Sequence, residues 1–408
     1  MKKTLTLLLV IAGVLLFITC KKRPELKVSA IDDNNIVDSL IIDTVPIISL
    51  PVVITHEVIG ISTTVVVCGG DITDDGGAEI TARGVCWSTY PNPTIDGQHT
   101  NDGFGAGSYS SYITDLNDYT PYYIRAYATN EVGTAYGEQK TFPTIPDGAI
   151  AALFSISDTK RVFFSQGNLQ YKATTNTWRF SEHQYDYVGE GNSNLYEDWI
   201  DLFGWGTSGY NHGAVCYQPW STSILNSDYY AYGSANLDLN HITGKADWGY
   251  NAISNGGNVE NKWRTLTKDE WTYLCVSRTT ISGIRYAKAQ VNEVNGFIIL
   301  PDNWETDIYN LNKTNAANAN FETNVISESD WANILEANGA VFLPAAGWRN
   351  GTTLINVGTT GYYSSATRRT GYNDSYTCNI IFSGSSFSYS NMFNRYGGQS
   401  VRLVCDVE

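Results

Sequence analysis

The segment from Gly361 to Tyr396 has the residue types of a binding surface. Its 36 residues include eight Ser, six Tyr and four Asn, and they contain no Lys, Glu or Gln. Tyr offers a wide, stiff contact area at a small entropic cost, and Ser and Asn offer adaptable hydrogen bonds. This combination predicts recognition of a ligand through aromatic contacts and hydrogen bonds rather than a chemical reaction.

The predicted ligand contacts are the polar, aromatic and charged positions of this segment. They are Tyr362, Tyr363, Thr367, Arg368, Tyr372, Asn373, Asp374, Tyr376, Asn379, Ser386, Ser388, Tyr389, Asn391, Asn394 and Tyr396. The run that follows, "GGQSVRLV", is typical of a core strand. We expect this final strand to hold the contacts rigidly.

Residues with catalytic potential are scattered along the chain. His183, His212 and His241 each stand alone in polar surroundings, and no Ser, His and Asp fall into a triad frame. Six cysteines remain besides Cys20, and none forms a CxxC pair or has a His at ligand spacing. We predict no catalytic residue and no zinc site.

Acidic residues are the other candidates for holding a metal. Asp198, Asp201, Asp228, Asp238 and Asp247 lie in a region of loop-like composition, but their spacing matches no calcium loop. We expect them to cap loops instead. Ca²⁺ binding stays an unsupported alternative, and the sequence predicts no cofactor.

The first 19 residues predict export. Lys2 and Lys3 precede an apolar run that ends just before Cys20, and this run is short for a transmembrane span. The pattern resembles a bacterial lipoprotein signal, which implies lipidation of Cys20; Thr19 departs from the small residue usual there, and an uncleaved anchor is the alternative. We expect an outer-membrane lipoprotein exposed at the cell surface, although the basic residues after Cys20 leave a periplasm-facing orientation open.

Composition excludes one class of partner. The 41 acidic and 26 basic residues give a net charge of −15, and no basic stripe appears. Binding to nucleic acid is therefore not expected. Because an exported chain can form disulfides, Cys68 and Cys86, predicted in neighbouring strands, are the favoured pair; the pairing of the remaining cysteines stays open.

Residues 20–50 read as a tether, and residues 51–144 contain five strand-like runs at sandwich spacing. Within them, "ITARGVCWS" and "YYIRAYATNEVG" resemble a fibronectin type III domain, with Trp87 at the position of a sandwich-core Trp. The resemblance implies an all-β sandwich that serves as a spacer. A linker at 145–150 follows, and the prolines and Gly148 of the run "PTIPDGAIA" mark this domain boundary.

Residues 151–408 predict an α+β domain. A capping box at Thr267 and Glu270 starts one helix, and a second helix begins near Ser329. Between short strands lies a long Gly-, Trp- and Asn-rich region, 189–257, which we expect to be loop held by buried aromatic residues.

The runs "NKWRTLTKDEWTYL", "LPAAGWRNG", "GYYSSAT" and "GQSVRLV" resemble the Fibrobacter succinogenes major paralogous domain. That family is similar to the formylglycine-generating-enzyme branch of the C-type lectin fold. The resemblance implies a C-type lectin-like domain, and it raises the alternative of an enzyme on this fold. Cys378 and Cys405 lack the family's active-site frame, so an enzyme is not predicted. A structural adhesin subunit is a third alternative.

The position of the Tyr-, Ser- and Asn-rich segment also resembles the variable proteins of diversity-generating retroelements in Bacteroidetes and phages. This resemblance implies a C-type lectin fold whose last strands vary between copies. A diversified binding module and a fixed one remain alternatives. A reverse transcriptase gene and a near-copy of the segment's coding sequence in the neighbouring DNA would indicate the diversified one. In either case we predict a membrane-anchored protein that binds a protein or glycan on another cell or phage.

Overall fold

The computed structural model describes residues 24–26, 44–187, 190–211, 217–241, 243–371 and 375–407. The predicted signal peptide, Cys20 and most of the tether lie outside these residues. Contact clustering divides the chain into two units: unit 1 comprises residues 1–61, 65–116 and 121–142, and unit 2 comprises 62–64, 117–120 and 143–408. Within the described ranges, no helix has the length and apolar character needed to cross a membrane.

Unit 1 is built from β-strands. They are β1 (Pro24–Leu26), β2 (Thr44–Pro46), β3 (Val52–Thr55), β4 (Val66–Asp74), β5 (Ala82–Ser88), β6 (Gln98–His99), β7 (Gly107–Ile113), β8 (Pro121–Asn130), β9 (Gly133–Tyr136) and β10 (Lys140–Pro143). β1 and β2 form a separate pair. The others form a three-stranded sheet, β3-β4-β7, and a five-stranded sheet, β10-β8-β5-β6 with β9 beside β8.

The two larger sheets of unit 1 pack into a sandwich. Val66 of one sheet shares a buried cluster with Val85 and Ile124 of the other, and half-buried Trp87 packs against the same cluster. Side chains alternate between faces along a strand, so every second residue can enter such a core. Each of the five predicted runs contains a strand, which confirms the all-β part of the prediction.

The expected disulfide between Cys68 and Cys86 is absent, and both thiols are free. β4 and β5 are consecutive in sequence, but they belong to different sheets. Cys68 points into the core between the sheets, whereas Cys86 alternates with the core residues Val85 and Trp87 and therefore points to the opposite face of its sheet. Two side chains that point apart cannot be bridged.

Unit 2 combines short strands with short helical turns. Its strands are β11 (Phe154–Ser155), β12 (Arg161–Phe164), β13 (Leu169–Lys172), β14 (Thr177–Phe180), β15 (Arg264–Thr265), β16 (Tyr286–Val291), β17 (Val294–Ile299), β18 (Val325–Ile326), β19 (Val341–Pro344), β20 (Trp348–Asn350), β21 (Thr353–Ile355), β22 (Thr360–Arg368), β23 (Tyr376–Ser383), β24 (Phe387–Asn394) and β25 (Leu403–Asp406). Their sheets are β11-β12-β25-β15, β13-β14, β18-β16-β17-β19, β20-β21 and β22-β23-β24.

The two predicted helices are present but short. α1 (Lys268–Thr272) begins at Thr267 with the predicted capping box, in which Thr267 and Glu270 satisfy each other's backbone N–H groups. α2 (Glu328–Asp330) is capped by Ser327, slightly earlier than predicted. Each continues into a turn of π-helix, Tyr273–Ser277 after α1 and Trp331–Leu335 after α2. Trp271 and Trp331 are buried beneath them.

The described part of the region 190–257 has no strand and only three short 3₁₀ turns, at Asn226–Tyr229, Ala231–Gly233 and Trp248–Tyr250. Trp205 and Trp248 are fully buried in one cluster with Phe203. The prediction of a loop region held by buried aromatic residues is therefore confirmed for these residues.

The free thiols of unit 1 can be checked by alkylation without reductant. Both are buried, and burial raises the pKa of Cys68 and raises that of Cys86 to about 11. Only the thiolate reacts with iodoacetamide. We expect neither cysteine to be modified in the native protein, and both to be modified in guanidinium without reductant, as read by peptide mass mapping. A requirement for reductant would show that the disulfide exists after all.

Candidate ligand-binding face

The three-stranded sheet β22-β23-β24 carries most of the Tyr-, Ser- and Asn-rich segment. All three strands are antiparallel, and paired residues across them share a face of the sheet. Gly361, Phe382 and Phe387 pair on one face, while Tyr362, Ile381 and Ser388 pair on the other. The sheet therefore has two faces whose roles can be assigned separately.

The first face belongs to the core of unit 2. Tyr363, Ile380 and Phe382 are fully buried in a cluster that also contains Trp271 of α1 and Phe297 of β17. The rings of Phe297 and Phe382 stack at 5.3 Å between centroids. Burial of this face fixes the sheet against the rest of the unit.

The second face presents a cluster of three aromatic rings. The Trp348 ring meets the Phe393 ring edge-on at 4.9 Å, and the Tyr362 ring lies 5.1 Å from Phe393 and 6.3 Å from Trp348, between centroids. Trp348 and Phe393 are half-buried, so each ring is packed and still partly accessible. Rings held in this way provide contact area without loss of side-chain freedom on binding.

Polar side chains surround these rings. Ser388 and Asn391 are half-buried, and they pair with Ile381 and Asn379 respectively. We name as the binding face the group Trp348, Tyr362, Ile381, Ser388, Asn391 and Phe393, of which Tyr362 is buried and the other five are half-buried. These six side chains carry no charge, so the groups that they offer are aromatic rings, an aliphatic side chain, hydroxyls and an amide.

A loop of unit 2 contacts the end of β24. Asn226 donates from Nδ2 to Oδ1 of Asn394 at 3.2 Å and accepts at Oδ1 from the backbone N of Arg395 at 2.8 Å. The preceding residues Ile224 and Leu225 are 59% and 60% exposed. This loop therefore adds two adjacent exposed aliphatic side chains to the surface of unit 2.

The prediction of a ligand contact fails for two residues because they are buried. Tyr363 is fully buried; its hydroxyl donates to the carbonyl O of Pro344 at 3.1 Å and accepts from Nδ2 of Asn168 at 2.9 Å. Burial raises the pKa of Tyr363 well above its usual range. Asn379 is 1% exposed and donates from Nδ2 to Oε1 of Gln399 at 2.8 Å. Both side chains serve the interior.

Other predicted contacts are engaged in local structure. Thr367 accepts at its hydroxyl from the backbone N of Lys268 at 3.0 Å, which places it at the start of α1. The backbone N of Arg368 donates to Oδ1 of Asp238 at 2.8 Å. Tyr362 is only 7% exposed, and its hydroxyl accepts a hydrogen bond from Nδ2 of Asn356 at 3.0 Å.

Of the remaining predicted contacts, Ser386 and Tyr389 are exposed, and Tyr376, Asn394 and Tyr396 are half-buried. Tyr389 lies where the pairing of β23 and β24 shifts register between Asn379 and Ile381. This irregularity is why alternation alone does not assign its face. Tyr372, Asn373 and Asp374 lie outside the described residues.

The sequence interpretation missed Trp348, Phe393, Ile224 and Leu225. Trp348 and Phe393 were not among the predicted contacts, and composition cannot tell a half-buried ring from a buried one. Ile224 and Leu225 come from a loop more than 130 positions away from β24. Only tertiary contacts bring that loop to the end of β24, so no local signal in the sequence could have placed it there.

In the described ranges, no group of three or more His, Cys, Asp and Glu side chains is placed to hold a metal ion. Cys378 and Cys405 are buried, and burial raises the pKa of Cys378. A raised pKa disfavours the thiolate that a nucleophile or a copper ligand requires.

The assignment of Tyr363 to the interior can be tested with a conservative pair of variants. Tyr363→Phe removes one hydroxyl and leaves the Asn168 amide and the Pro344 carbonyl without this partner, which should cost about 1–3 kcal/mol of unfolding free energy. Tyr389→Phe, at a residue 38% exposed, should stay within about 0.5 kcal/mol of the parent. Denaturant unfolding of unit 2 measures both, and equal effects would contradict the assignment.

Comparison with known proteins gives one kind of match. No family model and no curated protein matches the chain. The matching solved structures named here are each similar to about a quarter of the chain. The sensor domain of the anti-sigma factor RsgI4 in Pseudobacteroides cellulosolvens is 17% identical, with 24% of this chain and 96% of that chain covered and a TM-score of 0.19.

Two further structures, from collagen XX and from CNTN1, are similar to the same share of this chain. A fibronectin type III domain of human collagen XX is 14% identical, with 24% of this chain and 94% of that chain covered and a TM-score of 0.19. The FN1–FN3 domains of chicken CNTN1 are 16% identical, with 24% and 32% covered and a TM-score of 0.20.

Proposed function

We propose that this chain is a membrane-anchored envelope lipoprotein that binds a protein or glycan ligand through the binding face of unit 2. The observation that carries the proposal is the cluster of Trp348, Tyr362 and Phe393 rings, ringed by uncharged hydrogen-bonding side chains. Aromatic residues and Asn or Ser in this combination are typical of recognition surfaces.

The rigidity of the sheet supports binding at this position. The face opposite the binding face is buried in the core of unit 2, so the outward side chains need little ordering when a ligand arrives. In known interfaces a few residues, often aromatic, carry most of the binding energy, and the half-buried rings of this face could do the same.

The absence of charge on the binding face favours a neutral ligand surface. The nearest charged side chain in the sheet, Arg368, is half-buried and lies 3.9 Å from Asp238, between Nε and Oδ1. A phosphate or a nucleic acid would require exposed cationic groups. A glycan or an uncharged protein surface requires aromatic contact and hydrogen-bond groups, which this face offers.

The finer parts of the proposal come from the sequence resemblances. Unit 2 is proposed as a C-type lectin-like domain, unit 1 as a fibronectin type III-like spacer, and Cys20 as the lipid anchor. The Asn, Ser and Tyr positions of the binding face are further proposed as positions that a retroelement diversifies. Such a module would keep the buried face of the sheet constant while its outward residues vary.

The binding face is tested by paired substitutions. Trp348→Ala with Asn391→Ala removes one ring and one amide from the centre of the face, and we expect at least about a tenfold loss of affinity, because central aromatic residues dominate interfaces. Ligands would first be identified with the intact protein on glycan arrays and on panels of envelope proteins, and affinities measured by biolayer interferometry.

Unit 1 supplies the control for these variants. Tyr90→Ala and Tyr112→Ala remove aromatic side chains that are 76% and 72% exposed, and their affinity should stay within about twofold of the parent. Equal loss in the control and in the face variants, or no loss in either, would show that the ligand binds elsewhere.

The anchor is tested separately with Cys20→Ser. Acyl chains hold a protein at a membrane by burial of about 0.8 kcal/mol per CH₂ group. We expect the parent to enter the detergent phase in a phase-separation assay and to incorporate labelled palmitate, and the variant to do neither. Cys216→Ser is the control and should behave like the parent. If the Cys20→Ser variant remains in the membrane fraction and retains its first 19 residues, the uncleaved anchor is supported instead.

A further inference from the structure

Lys288 is a buried cation in the middle of β16. It is fully buried, and no ion pair links it to a carboxylate in the ranges that the structure describes. Its cross-strand partner in β17 is Phe297, so the two share one face of their sheet. A lysine in such surroundings is rare unless its charge is compensated.

Three carbonyl groups compensate the charge of Lys288. Its Nζ donates to the carbonyl O of Ala317 at 2.6 Å, of Ser383 at 2.7 Å and of Ser386 at 2.9 Å. An ammonium group has three N–H donors, and all three are used. Burial lowers the pKa of Lys288 to about 8, so at neutral pH the amine still carries the proton that makes the third bond.

Two of these carbonyls belong to the turn that joins β23 to β24. Ser383 ends β23, and Ser386 immediately precedes β24. The turn has bonds of its own: the backbone N of Ser383 donates to the carbonyl O of Ser386 at 2.9 Å, and their hydroxyls are 2.9 Å apart. Lys288 adds a connection from this turn to a different sheet and to the loop at Ala317.

The surroundings explain why this connection matters. The rings of Tyr286, Phe297 and Phe387 pack against one another with centroids 4.7–5.1 Å apart. Tyr286 lies two residues before Lys288 on the same face of β16. Without a donor here, carbonyl groups would face an apolar cluster, and each unsatisfied group costs about 1–3 kcal/mol.

We propose that Lys288 is a positioning residue for the binding face: its ammonium group fixes the β23–β24 turn against β16 and thereby sets where β24 begins. Ser388, the first residue of β24 on the binding face, is two positions beyond the turn. The relevance of this inference to ligand binding rests on the proposed function, whereas the anchoring itself does not.

The test is hydrogen exchange in a graded series of variants. Lys288→Gln keeps two donors without charge, and Lys288→Met keeps the length and removes all donors. We expect exchange in peptides covering residues 383–388 to accelerate by at least about tenfold in the Met variant and by less in the Gln variant, because the turn loses its anchor. Peptides covering β17 should be unchanged in both.

Lys313→Met is the matched control. Lys313 is exposed in the same loop that contributes Ala317, and its removal should leave exchange at the turn unchanged. Unchanged exchange at residues 383–388 in the Met variant would overturn the proposal. So would an equal acceleration throughout unit 2, because that result would show only a general loss of stability.

A second measurement does not depend on how the variants fold. In ¹H–¹⁵N spectra of the parent protein at neutral pH, the Lys288 ammonium should give a signal protected from solvent exchange, and Lys313 should give none. Absence of a protected ammonium signal would overturn the proposal. Neither measurement uses a ligand, so a failed anchoring test and a failed binding test can be told apart.

Discussion

The structure of unit 2 depends on the pairing of its last strand. β25 (Leu403–Asp406) lies between β12 and β15, so this strand joins the beginning of unit 2 to its middle. The segment just before it makes further backbone bridges, from Gly398 to Arg349, from Gln399 to Phe203 and from Ser400 to Tyr363. Arg264 of β15 adds paired hydrogen bonds to Asp406 and Glu270. Apart from the bonds between Arg264 and Glu270, these contacts join residues far apart in sequence, so they form only when the unit folds as a whole.

The same pairing explains how a surface rich in flexible polar residues can be rigid. Ser400 is bridged to Tyr363, and the backbone N of Ser364 donates to the carbonyl O of Ser400 at 3.1 Å, which fixes β22 next to the final segment. β23 pairs with β22 and β24 pairs with β23, so the position of β22 also sets the positions of these two strands. One face of the resulting sheet supplies the core, and on the other face Ser388, Asn391 and Phe393 are half-buried. Substitutions at these three positions should therefore affect folding less than substitutions at the buried Tyr363.

The sequence predicted a segment of ligand contacts, but it could not show which residues of that segment are buried. Composition pointed to residues 361–396, and local chemistry located the capping box of α1, since both signals lie in neighbouring residues. The orientation of Tyr362 and Tyr363 depends on register, and a shift of one residue exchanges the two faces. Composition gave equal weight to both, and the structure buries Tyr363. Lys288 could not be recognised at all, because its three partners come from positions 29, 95 and 98 residues away.

The lack of charge on the binding face also has a consequence for how a ligand would be selected. The chain carries a net charge of −15, so its surface as a whole repels acidic partners at long range, and this repulsion is screened beyond about 10 Å at 0.1 M salt. Contact at the binding face itself involves rings, amides and hydroxyls, whose energies change little with ionic strength. Salt would then act mainly on the rate of encounter, and the lifetime of the complex would be set by how well the ligand covers Trp348 and Phe393. Specificity in such a surface lies in shape and hydrogen-bond geometry, which substitution of Asn, Ser and Tyr side chains can change without disturbing the buried face beneath.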